Sequence, residues 1–107
     1  MYDSQHQQYN DIGYFLPHQI DEIRGKSPIA YVPIGSLEWH DAHLPIGLDG
    51  LKAHRICQYT CTKTGGFVFP ITFWGMPGKY RPGGVHYNFT SFTEDTLRSL
   101  YNSSSRT

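Results

Sequence analysis

The chain has 107 residues, nine Lys+Arg against nine Asp+Glu, and 38% apolar residues, with aromatics at 15%. That length allows one small domain at most, and the balanced charge excludes the basic field by which a protein binds nucleic acid or an anionic membrane surface. The composition is too apolar for a disordered chain, and no apolar stretch approaches the roughly 18 residues a membrane span needs.

Residues 1–11 are polar and are expected to fray. They lack the basic start and apolar stretch of a secretory leader, so a cytoplasmic location is expected. Leu16, Ile20 and Ile23 fall at helical spacing and Gly25 offers a stop, which predicts a short helix over 16–23. Ile29-Ala30-Tyr31-Val32-Pro33-Ile34, bounded by Pro28 and Gly35, reads as a strand covered on both faces, as in a parallel sheet; Pro33 belongs at an edge or at the strand's end. Ala53, Ile56, Cys57 and Thr60 repeat at i, i+3, i+4, i+7, predicting a helix from Asp49 to about Lys63 that Gly65-Gly66 terminates. Phe67-Val68-Phe69 follows as a second buried strand. Strand, helix and strand make a right-handed βαβ unit with parallel strands.

Residues 71–90 are rich in Gly, Pro and aromatics without periodicity, and a loop of that length is usually functional. Its Trp74, Tyr80 and His86 are candidates for lining a substrate pocket. Ser91-Phe92-Thr93-Glu94 fits a capping box, continued as a helix by Leu97, Leu100 and Tyr101. Two strands are few for a free-standing α/β sheet, so the layered architecture is expected to be cut off. Cys57 and Cys61, four apart, read first as reduced, half-buried thiols, with a metal or redox pair as the alternative.

The chemistry concentrates between the first strand and the second helix. Glu38 and His40, two apart in extended backbone beyond the strand's carboxyl end, point to one side, and ligands of parallel sheets gather at those ends. Asp49, at the start of a helix, either caps backbone N–H groups or reaches a metal. Carboxylates with a neutral imidazole suit Zn²⁺ or Mn²⁺. His40 and His43 each have an ordinary structural reading as hydrogen-bonded histidines, whereas an unpaired Glu38 behind a buried strand is costly.

Gly35-Ser36-Leu37-Glu38-Trp39-His40-Asp41-Ala42-His43-Leu44-Pro45-Ile46-Gly47-Leu48-Asp49 resembles the signature of the creatininase (creatinine amidohydrolase) family, G-S-x-E-x-H-G-x-H-L-P-x-G-x-D. The likeness continues through Gly50-Leu51-Lys52-Ala53-His54 and Gly65-Gly66-Phe67-Val68-Phe69-Pro70, covering roughly residues 29–75. The resemblance implies that residues 1–107 are the N-terminal part of a single creatininase-like domain. The fold it implies is α/β, a partial three-layer αβα arrangement with a mostly parallel sheet. It implies metal ligands at Glu38 and His40, a metal-bridging Asp49, and a supporting role for His43 behind them. It further implies two divalent ions per complete site, Zn²⁺ or Mn²⁺, a small amide-containing substrate whose C–N bond is hydrolysed by metal-activated water, and homo-oligomers, often hexamers. No catalytic residue beyond the ligands is assigned.

The departures carry weight too. Asp41 stands where the family usually has Gly, a position suited to φ > 0, and Ala42 where Pro is common. The family's second ligand cluster, a His and an acidic residue on a glycine-rich segment, has no counterpart here. The expected reading is an N-terminal fragment of a metal-dependent amidohydrolase, inactive alone. The alternatives are a non-catalytic remnant acting as a binding or assembly module, and a purely structural mononuclear site.

Overall fold

In the computed structural model, the structure describes residues 4–75 together with Arg98, Ser99 and Asn102. The described elements run α1 (Ser4–Gln8), a 3-10 turn (Ile12–Tyr14), α2 (Pro17–Lys26), β1 (Ala30–Tyr31), α3 (Leu48–Thr64) and β2 (Phe67–Val68). β1 and β2 are parallel, with Ala30 opposite Phe67 and Tyr31 opposite Val68. The chain is therefore α/β with a βαβ crossover, as the periodicities predict. Tyr80 and His86 lie outside the described residues. Of the helix expected after Ser91, Arg98, Ser99 and Asn102 are described and are helical.

Local chemistry explains where the elements stop. Pro17 occupies the first turn of α2, where its missing N–H costs nothing, and the Gln19 side chain accepts from the Leu16 backbone N–H at 2.8 Å. The expected stop at Gly25 is not used. The helix continues to Lys26 and ends at Ser27 (φ −148°, ψ 87°), because Pro28 bars the preceding residue from helical backbone. In α3 the expected terminator does act: Gly65 takes φ 77° and donates its N–H to the Cys61 carbonyl.

The buried strand is β2, not β1. Val68 is 0% exposed and Phe67 6%, whereas Ile29, Val32 and Ile34 are 40–55% exposed, which corrects the expectation of a β1 covered on both faces. β2 is flanked on both sides. Its Phe67 N–H and the Phe69 N–H donate to the Ile29 and Tyr31 carbonyls, while the Val68 N–H turns the other way to Asn10. Pro33 lies two residues beyond β1, yet its carbonyl accepts from the Thr72 N–H at 3.0 Å, and the Gly35 N–H donates to the Thr72 carbonyl. Pairing thus persists along the chain to the loop that carries Glu38.

That second flank of β2 is supplied by the end of the polar start, where Asn10 and Asp11 are packed rather than frayed. Asp11 is 6% exposed and bridges Val68, and the Asn10 side chain donates to the Gly66 carbonyl at 2.9 Å. The Asp11 carboxylate accepts from His6 Nδ1, from His54 Nε2 at 3.3 Å and from Gln58 Nε2 at 3.0 Å. A buried carboxylate is tolerated only when so satisfied, and satisfying it ties α1 to α3.

It also turns α3. The helix buries Gly50, Gln58 and Cys61 and leaves Ile56 56% exposed, so the inward face is rotated from the one the apolar spacing predicts. Replacing Asp11 by Asn is expected to cost about 1–3 kcal/mol. Hydrogen exchange should show protection lost first at the Val68 amide, and unchanged protection there would contradict this tether.

Candidate metal centre

The site is assembled by one loop and one helix start. The loop after β1 is closed by the Glu38 N–H donating to the Ile46 carbonyl at 3.1 Å, and the Leu48 N–H donating to Pro45 at 3.2 Å turns it into α3. Asp41 adopts φ 74°, the left-handed backbone anticipated at this position. Its carboxylate accepts from the Ala42 N–H at 2.8 Å. Asp is among the few side chains that hold such a conformation, because a short acceptor can satisfy the neighbouring amide.

Two glycines bring the loop and helix together. A Cβ on Gly35 would fall on the backbone N and Cα of Gly50, and a Cβ on Gly50 would stand 2.5 Å from the Phe73 ring and 2.8 Å from the Ile71 side chain. The stretch following β1 therefore rests, at Gly35, directly on the first turn of α3. That contact aims Asp49 at the loop.

Glu38, His40 and Asp49 converge, each offering a donor atom within 4.8 Å of the others. His40 Nε2 is 3.2 Å from Asp49 Oδ1 and 3.9 Å from Glu38 Oε1. One ion bound at about 2.0–2.2 Å admits donors up to about 4.4 Å apart, so both separations suit a shared cation. All three side chains are partly buried.

Asp49 is not the helix cap. Gly47 is, without a side-chain cap bond, and Asp49 sits within the first turn, where the helix end favours its negative charge. The N-cap reading of Asp49 is therefore not what the helix start shows. His40 Nε2 is buried and makes no well-directed hydrogen bond, although Asp49 Oδ1 lies 3.2 Å away. A buried polar atom left unmatched is costly, and one set between two carboxylates has the chemistry of a metal donor. The donor set fits a divalent cation.

The remaining candidates are placed differently. His43 is exposed and stands apart from the three-donor group. Trp74 is 47% exposed and precedes Gly75, whose N–H donates to the Gly35 carbonyl at 2.9 Å. Cys57 and Cys61 are unbridged, and burial pushes both thiols above their ordinary value, which disfavours the thiolate that metal or redox chemistry uses. Sequence reasoning missed Gly35 and Gly50 as positioning residues, although both lie within the resemblance. It missed the Asp11 cluster altogether, because a polar start gives no hint of a buried carboxylate.

A sequence model of the creatininase family, described as creatinine amidohydrolase, matches residues 17–107. The chain belongs to the creatininase family. No curated protein and no solved structure matches it with significance. Membership carries hydrolase chemistry at the level of the family. Among the described residues, Glu38, His40 and Asp49 are the group that could take up the metal of a creatininase-family site. No helix of the described residues is long and apolar enough to cross a membrane.

Crowding of the two carboxylates has a measurable consequence. Hydrogen bonding to Asp49, then burial, then the Asp49 charge raise the Glu38 carboxyl above its ordinary 4.5, against a smaller opposing effect of His40. A pKa higher in the folded than in the unfolded chain adds stability below the ordinary value, and that stability is lost as pH rises through the raised one. The melting temperature of the metal-free chain should therefore fall across this acidic window. In Glu38→Gln that decline should flatten, and an unchanged slope would show that the pair is not coupled.

Proposed function

We propose that Glu38, His40 and Asp49 hold a divalent cation, Zn²⁺ or Mn²⁺, as one half of a two-ion centre that hydrolyses an amide C–N bond. The observation that carries this reading is the convergence of Glu38, His40 and Asp49, with the buried His40 Nε2 3.2 Å from Asp49 Oδ1 and 3.9 Å from Glu38 Oε1. When bound, such ions supply the Lewis acidity that activates water and polarises the amide carbonyl.

The chain's own part is placement. His40 gives a neutral donor, Glu38 and Asp49 give the negative charge that balances the cation, and the second Asp49 oxygen is available to reach a second ion. Family membership supports a small amide as substrate. On this reading Trp74, Tyr80 and His86 are the candidates to border that substrate, and His43 supports the loop from outside the donor group.

This reading includes a three-layer αβα architecture to which β1 and β2 belong, assembly as a homo-oligomer, and a cytoplasmic location that suits two unbridged cysteines. On it, the 107-residue chain alone is inactive, since the three donors among the described residues do not complete the coordination of two ions. The remnant reading rests on the missing second ligand cluster and on Asp41; the φ 74° backbone that the loop gives Asp41, with Glu38, His40 and Asp49 still converged, speaks against the second of these grounds.

The test is metal analysis of the purified chain with an amidase assay on creatinine and formamide. One tightly bound ion per chain without turnover is expected. Two ions with turnover would overturn the inactivity of the chain, and no ion bound at all would overturn the metal centre itself.

A further inference from the structure

A second polar cluster lies farther along α3. An open cleft of about 360 Å³ is lined by His6, Tyr9, Leu51, His54, Arg55 and Gln58. His54 follows Asp49 by five residues, which turns the helix by about 140°, so this cleft is on another face from the metal ligands. Of the six described residues that line it, five carry hydrogen-bond donors and none is acidic.

Among the described residues, the carboxylate beneath the lining is that of Asp11, which orients it. It is 6% exposed and fixes His6 through Nδ1 and His54 through Nε2. Both imidazoles therefore meet the cleft with settled orientations. Gln58 links the two levels: its Nε2 donates to both Asp11 oxygens, at 3.3 and 3.0 Å, and its Oε1 accepts from Arg55 Nη1 at 3.4 Å. His6 is further held by stacking on Tyr14, ring centres 4.3 Å apart.

We propose that this cleft binds a small organic anion through a carboxylate or phosphate group, with Arg55 and His54 as its principal contacts. Guanidinium and imidazole are the side chains that recognise such groups through charge-assisted hydrogen bonds. Leu51 and the Tyr9 ring give the apolar wall that a ligand's carbon frame requires, and the volume suits a metabolite-sized molecule. The site is independent of the metal centre and of the amidohydrolase reading.

The experiment is a ¹H–¹⁵N titration of the full chain in metal-depleted buffer, with inorganic phosphate in one arm and succinate in the other. Saturable shifts are expected at the amides of His6, His54, Arg55 and Gln58, and the tighter arm identifies the group preferred. Arg55 is exposed, so Arg55→Gln should keep the wild-type circular dichroism and melting temperature while weakening binding roughly tenfold. His54→Gln supplies a second variant with the same expected loss. Absence of saturable shifts with both probes, shifts confined to Glu38, His40 and Asp49, or undiminished affinity in Arg55→Gln would each overturn the proposal.

Discussion

Exchanging Asp49 for Asn is expected to lower the affinity for Zn²⁺ by at least about 100-fold while leaving the fold intact. The substitution preserves size and shape and removes only the anionic donor, so its effect reports coordination. Asp49 Oδ1 is the donor nearest His40 Nε2, at 3.2 Å, and Asp49 is also the group that raises the Glu38 carboxyl. Two independent readouts follow. A ligand that binds only the folded state stabilises it by about 2.7 kcal/mol at 100 times its Kd, so Zn²⁺ should raise the melting temperature of the natural chain and hardly move that of Asp49→Asn. Without metal, the Glu38 carboxyl should return towards its ordinary value in the variant, which carbon-detected NMR measures directly. Equal Zn²⁺-induced shifts in both proteins would exclude Asp49 as a ligand, whatever happens to Glu38.

The elements that could be read from the letters are those whose cause is local. α3 shows in a helical repeat closed by two glycines, the parallel pair in two short apolar runs around it, and the loop's left-handed residue in Asp41 at a position suited to glycine. The convergence of Glu38, His40 and Asp49 was legible because it needs only extended backbone at a strand end and a helix start close behind. Where the reading failed, the cause is tertiary. Nothing in residues 1–11 announces that Asp11 will be buried, because its burial depends on His54 and Gln58 arriving from a helix more than forty residues later. The same distant contact explains why α3 presents Gln58 rather than Ile56 to the interior: satisfying a buried carboxylate outweighs the area that one isoleucine would bury. The extent of α2 turned on which of two neighbouring breakers prevails, and Pro28 restricts its neighbour's backbone more strongly than Gly25 releases its own.

The contact between Gly35 and Gly50 is the feature on which the metal centre's geometry rests, and paired substitutions separate its two halves. In Gly35→Ala the new methyl meets the backbone of Gly50, which has no rotamer to adopt, so the strand end and helix start must part. A cost of about 3 kcal/mol or more is expected, at the upper end of what overfilling a well-packed site produces. Movement of the α3 terminus by even an ångström withdraws Asp49 from His40, so Zn²⁺ binding should fall with stability. Gly50→Ala differs in kind. Its methyl meets the Phe73 ring and the Ile71 side chain, which can shift, and alanine recovers about 1 kcal/mol of helix propensity over glycine. The net loss should be smaller, within about 2 kcal/mol, with metal binding weakened rather than abolished. Thermal melts and Zn²⁺ calorimetry on the two variants decide the matter: Gly35→Ala must be the more damaged in both. The reverse order, or natural behaviour in Gly35→Ala, would mean that Asp49 reaches the loop by some support other than this backbone contact.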